Sequence, residues 1–186
     1  TLCWNYDNEV CDSVAGGRTH RGLSPFGRKL IERMRDLGMV IDLSHASDET
    51  FDDVMDWADV PVAATHSNCR AICGHPRNLT DAQIRRIAAA DGVIGINFYR
   101  DFLSDSGKAG IKDIISHIEH IAGLAGIRQI GLGCDFDGAD PMAEGITGAE
   151  SLYLVLEALA RANYTDHDIR MIAGGNFLRL FTRILK

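Results

Sequence analysis

From Leu23 onward the apolar positions switch between two spacings, one suited to helices and one to buried strands. Leu30, Ile31, Met34 and Leu37 recur at helical spacing behind Ser24-Pro25, an N-cap followed by a first-turn proline, and the pattern stops at Gly38. Residues 39–43 form a short apolar run fit for a buried parallel strand. Ser47 then opens a helix carrying Phe51, Val54, Met55 and Trp57, with Asp48 and Glu49 in a first turn where carboxylates suit the helix dipole. Residues 61–65 and 92–98 read as strands, and between them Thr80 and Gln83 stand at capping-box spacing before Ile84 and Ile87. Ile111, Ile114, Ile115, Ile118, Ile121 and Ala125 line one face of a long helix. Residues 127–133 read as another strand, and helices over 150–162, 165–173 and 176–184 close the chain.

Strands and helices in alternation mean βαβ units and a parallel sheet. About five strands are expected if residues 1–4 form one of them. A closed eight-strand barrel takes roughly 250 residues, so 186 residues are read as an incomplete α/β structure, a TIM-like parallel (β/α) barrel with strands missing. An open doubly wound sheet fits less well, because no Gly-rich phosphate loop follows any strand. No repeat, linker or low-complexity segment divides residues 1–186, which are taken as a single domain. The chain opens on Thr1 without a methionine, on a β-type run that reads as a strand entered partway through a longer protein.

Composition narrows the function. A net charge of -7, with the basic residues scattered, argues against nucleic acid as a partner. No apolar run is long enough to cross a bilayer. The five cysteines are an odd set in a chain too large to need stapling, which points to reduced thiols and a cytoplasmic location. Cys69 and Cys73 have no second pair at zinc-ribbon spacing and are read as structural.

The chemistry-bearing residues fall at strand ends. One run ends Asp42-Leu43-Ser44-His45, a second Thr65-His66-Ser67-Asn68, and the last Gly133-Cys134-Asp135-Phe136-Asp137-Gly138. In a parallel barrel such ends converge on one face. Imidazoles on successive strands followed by a carboxylate on the final one form a metal-hydrolase arrangement, with Asp42 as a hydrogen-bond acceptor behind His45. His117 and His120 share a helix off its apolar stripe and are assigned to a solvated face. Asp135, Asp137 and Asp140 do not make a calcium loop, since Ile146 occupies the place of the bidentate glutamate. His20 and His75 are expected on surface loops.

Taken together, Val40-Ile41-Asp42-Leu43-Ser44-His45, Thr65-His66-Ser67-Asn68, His75-Pro76-Arg77-Asn78-Leu79, Gly95-Ile96-Asn97-Phe98-Tyr99, the segment from Gly131 to Gly138 and Gly175-Asn176-Phe177-Leu178-Arg179 resemble the renal (membrane) dipeptidase family, in order and through the whole chain. The resemblance implies a zinc-dependent dipeptidase in which a metal-bound hydroxide attacks the peptide bond, this chain supplying about the last five strands of the barrel. It implies two zinc ions, with His45 and His66 on one of them, Arg77 on the terminal carboxylate of a dipeptide substrate, and Asp135 handling protons. It also implies further ligands, a His-x-Asp pair and a bridging glutamate, on strands before Thr1. Trp4 stands where many relatives of that family carry a substrate-facing histidine. Two rivals stay open: a binuclear amidohydrolase acting on a non-peptide amide or a lactone, and a barrel that lost its site. A homodimer also stays open.

Overall fold

The computed structural model describes residues 1–186. Three short strands, β1 (Ala63–Ala64), β2 (Val93–Ile96) and β3 (Ile130–Leu132), form one parallel sheet in that order. Ile94 pairs with Ala64 on one side and with Ile130 on the other. Residues 41–43 extend the β1 edge through a single bridge at Asp42, with Leu43 N donating to Ala63 O at 2.8 Å and Ala63 N to Ile41 O at 2.9 Å. Residues 1–4 are not a strand. Their carbonyls are taken by side chains instead: Asn8 Nδ2 donates to Leu2 O at 3.0 Å and Ser13 Oγ to Trp4 O at 2.6 Å.

The helices begin where local chemistry says they should. In α1 (Pro25–Leu37), Ser24 Oγ accepts from Gly27 N at 2.9 Å and Gly38, at φ 68°, ends the helix in the left-handed region. A methyl group at Gly38 would lie 2.6 Å from Ile184 O, so the end of the chain packs directly on this turn. Ser47 caps α2 (Asp48–Trp57), accepting from Thr50 N at 3.1 Å. Thr80 and Gln83 form a reciprocal capping box on α3 (Asp81–Ala89), with bonds of 3.2 and 2.8 Å. A single turn, α4 (Arg100–Leu103), precedes α5 (Ile111–Ala125), which presents the expected isoleucines to the core.

The last part departs from the expected pattern. α6 (Leu152–Arg161) follows a short 3-10 turn, and α7 (Asp166–Arg170) gives way at Met171–Gly175 to a π turn before α8 (Asn176–Ile184). Asn176 explains the docking of α8. Its buried amide donates to Ile127 O at 2.8 Å and Ile130 O at 2.7 Å, tying the start of α8 to the entry of β3.

Ile94, Ile96, Ile114, Ile118, Ile121 and Ile130 are fully buried between the sheet and the helices packed on it. Each such side chain contributes about 1.5–3 kcal/mol of transfer free energy. No helix is long and apolar enough to cross a membrane.

Candidate active site

A cleft of about 970 Å³ opens where the C-terminal ends of the strands converge, and its walls include His45, His66, Arg77 and Asp135. The structure thus brings the four expected site residues into one space. A second hollow, of about 460 Å³, lies at the opposite ends of β1 and β2. Two of its charged groups are already paired, Arg86 with Asp52 and Asp56 and Arg183 with Asp91, and it lies away from the strand ends that carry the histidines.

The two histidines face one another. His45 Nε2 lies 2.9 Å from His66 Nε2, and the rings meet edge to face with centroids 4.9 Å apart. His45 Nδ1 is buried without a partner. Burial, the Arg77 charge and His66 hold the His45 imidazole down at about 3, and burial with Arg77 lowers His66 as well. Both rings are therefore neutral at physiological pH, the state in which imidazole binds metal. No third His, Cys, Asp or Glu completes a cluster around them. Two neutral imidazoles on one tetrahedral zinc lie roughly 3.3 Å apart by the usual bond lengths. The observed 2.9 Å is a hydrogen-bond distance a few tenths of an ångström shorter than this, so the two converging rings suit two of a metal ion's ligands once they part slightly, but not the full set.

Asp42 does not support His45. Its carboxylate accepts from Ser44 N at 3.0 Å, from Thr65 N at 2.9 Å, from Thr65 Oγ1 at 2.7 Å and from Thr1 Oγ1 at 2.5 Å. Burial pushes this carboxyl up, but the hydrogen bonds from Thr1, Thr65 and Ser44 outweigh it and hold it below the usual range. The imidazole next to this group is that of His66, whose Nδ1 lies 2.8 Å from Thr65 Oγ1. Thr65 itself has little freedom: a methyl group on Gly95 would come within 2.0 Å of its carbonyl oxygen, and one on Gly133 within 1.8 Å.

Arg77 extends into the cleft over the ring of Phe102, with Cζ 5.4 Å from the centroid. The only hydrogen bond its guanidinium makes is Nη2 to His66 O at 3.5 Å, and no carboxylate pairs with it. Burial pushes Arg77 down to about 10, still fully charged at neutral pH. Asp135 sits past the end of β3, where Asn97 Nδ2 donates to its Oδ2 at 3.0 Å. The Asn97 amide cannot be turned round, because its Oδ1 accepts from Tyr99 N at 2.7 Å. Asn68 brackets the Asn97 backbone in turn, exchanging two 3.0 Å bonds with its N–H and C=O. His45 and Asp135 both adopt left-handed backbone, at φ 75° and 64°.

Other histidines are not where the sequence placed them. His117 is fully buried rather than solvated, its Nδ1 accepting from Cys69 N at 3.0 Å and its Nε2 donating to Leu103 O at 3.1 Å. His120 is half-covered and bonds Asp81 at 2.8 Å. His75 is a cleft residue: its ring packs 4.5 Å from Phe102 and its Nδ1 accepts from Arg77 N at 3.2 Å. Phe102, Thr65 and Asn97 carried no role in the sequence reading, and the strand-end position of Thr65 and Asn97 was the signal available.

The chain matches the membrane dipeptidase family, peptidase family M19, over residues 1–185. It is 39% identical over 184 residues to an uncharacterised dipeptidase of Schizosaccharomyces pombe and 36% identical over 189 residues to a second one, spanning 97% and 98% of this chain. It covers 45% of each relative, so it spans about half their length. Among solved structures, a metallo peptidase from Rhodobacter sphaeroides liganded with a phosphinate mimic of the dipeptide L-Ala-D-Ala superposes with a TM-score of 0.85 at 34% identity, over 89% of this chain and 48% of that one. The probable dipeptidase PvdM of Pseudomonas aeruginosa shares the fold with a TM-score of 0.93 at 23% identity, over 98% of this chain and 61% of that one.

Proposed function

Since this chain belongs to the membrane dipeptidase family, peptidase family M19, we propose that it supplies half of the active site of a zinc-dependent dipeptidase. Residues 1–186 are read as one domain, the last strands and helices of a (β/α) barrel whose remaining strands lie elsewhere in the protein. His45 and His66 are two ligands of one zinc ion in a two-metal site. When bound, the metal ions polarise the scissile carbonyl and activate water for attack. Arg77 grips the terminal carboxylate of the dipeptide through two parallel hydrogen bonds and so sets the distance from that carboxylate to the bond being cut. Asp135, oriented by Asn97, takes the proton of the attacking water and returns it to the leaving amine. The unpaired thiols favour a reducing compartment such as the cytoplasm.

The observation that carries this reading is Arg77, a guanidinium in the cleft wall with one long hydrogen bond and no carboxylate of its own. A substrate carboxylate is the group it lacks. A neutral lactone would leave it unpaired, which disfavours the lactonase reading. The test is Arg77→Lys in the intact protein, since an ammonium cannot reproduce the forked contact. Hydrolysis of a dipeptide should fall at least about tenfold, the cost of one charged hydrogen bond, and more steeply than hydrolysis of the C-terminally amidated compound. Equal losses on both would remove Arg77 from carboxylate recognition.

A further inference from the structure

We propose that Thr65 is a positioning residue for the metal site, holding His66 in the tautomer that presents a bare Nε2 toward His45. The proposal rests on the reading of His66 as a metal ligand. It follows from counting protons along three side chains. Asp42 is nearly inaccessible, and four donors fill its two oxygens: Ser44 N and Thr65 N on Oδ1, Thr1 Oγ1 and Thr65 Oγ1 on Oδ2. A carboxylate so surrounded accepts and gives nothing back. The Thr65 hydroxyl proton is therefore committed to Asp42, since a bond to a charged acceptor is stronger than one to a neutral ring nitrogen. With its proton spent, Thr65 Oγ1 can only accept from its neighbour 2.8 Å away, and that neighbour is His66 Nδ1.

A neutral imidazole carries one N–H. Once Nδ1 holds it, Nε2 is left with a lone pair, and Nε2 is the atom that points at His45 across 2.9 Å. Ser44 completes the frame by accepting from His66 N at 3.0 Å. The Thr65 backbone is held as tightly as its side chain, because Gly95 and Gly133 let two strands close on its carbonyl at distances no side chain would permit. His45 has no such support: its Nδ1 is without any partner. Of the two rings, His66 is thus the one built in advance for its role.

The test uses the intact protein with three substitutions: Thr65→Val, which keeps the shape and removes the hydroxyl, Thr65→Ser, which keeps the hydroxyl, and His66→Ala. Zinc affinity is read by competition with a chromophoric chelator, and the His66 tautomer of the metal-free protein by nitrogen NMR of labelled histidine. Thr65→Val should bind zinc about 10–100-fold more weakly, and Thr65→Ser should stay within about threefold of the unsubstituted protein, in line with its intact hydrogen bond. The unsubstituted protein should hold the proton on Nδ1. Unchanged zinc affinity in Thr65→Val, or a proton found on Nε2 in the unsubstituted protein, overturns the proposal; the NMR result stands even if the valine variant does not fold. Unchanged affinity in His66→Ala would instead overturn the metal assignment, and the proposal with it.

Discussion

His117 illustrates how a single side chain makes stability depend on pH. Burial holds its imidazole down at about 4, against a partly offsetting bond to the Leu103 carbonyl. The unfolded chain takes up a proton near the ordinary value of about 6.5, whereas the folded one resists until about 4. Stability from this group is thus complete above about 6.5 and is lost as the pH falls toward 4. His117→Gln, neutral throughout, should flatten that loss by roughly 2 kcal/mol between pH 7 and 4.5, at about 1.4 kcal/mol per unit. Denaturant midpoints of the metal-free intact protein at the two pH values measure it, and the slope that remains includes His45, His66 and His75, whose imidazoles burial also lowers. An identical slope in the variant would mean that His117 does not titrate with unfolding. The sequence misplaced this residue because a stripe of isoleucines defines one buried face, whereas α5 packs against α3 and α6 as well as the sheet. Burial on a second face comes from neighbours distant in the chain.

At the scale of elements, helix starts were legible and strands much less so. Ser24-Pro25, Ser47 and the Thr80–Gln83 box act within one turn of themselves, so their signals survive in a linear reading. Strands of two to four residues have meaning only through their partners. Residues 1–4 read as a strand because Thr1-Leu2-Cys3-Trp4 is a β-type run, but Asn8 and Ser13 intercept the carbonyls a ladder would need. The site divides in the same way. His45 and His66 could be found from their strand-end positions, whereas Thr65 and Asn97 act through hydrogen bonds that a sequence does not display. The two close-packed glycines tie the sheet to the site. Gly95→Ala should destabilise the protein by about 2 kcal/mol from overpacking and weaken zinc binding with it, because the intruding methyl displaces Thr65. Chemical denaturation and metal titration check the two effects, and a destabilised variant with unaltered zinc affinity would separate the sheet from the site.

Across the whole molecule, the backbone at the cleft is not at rest. His45 and Asp135 both occupy the left-handed region, which costs a side-chain-bearing residue about 1 kcal/mol or more. His45 adds a buried ring nitrogen with nothing to bond. Asparagine tolerates left-handed backbone better, and at position 45 its shorter amide keeps a polar atom at the δ position, so the gain expected there is from the backbone alone. The metal-free His45→Asn protein should therefore be more stable by about 0.5–1 kcal/mol while its zinc affinity collapses; a lower unfolding midpoint would refute the strain argument. Selection for thermal tolerance alone, with no demand placed on the cleft, would then act on position 45 as it would on the left-handed positions outside the cleft, Arg18, Arg21, Asp59, Asp91 and Asn163. Position 45 would be free to drift, and a heat-resistant descendant would keep its sheet while losing the proposed zinc ligand.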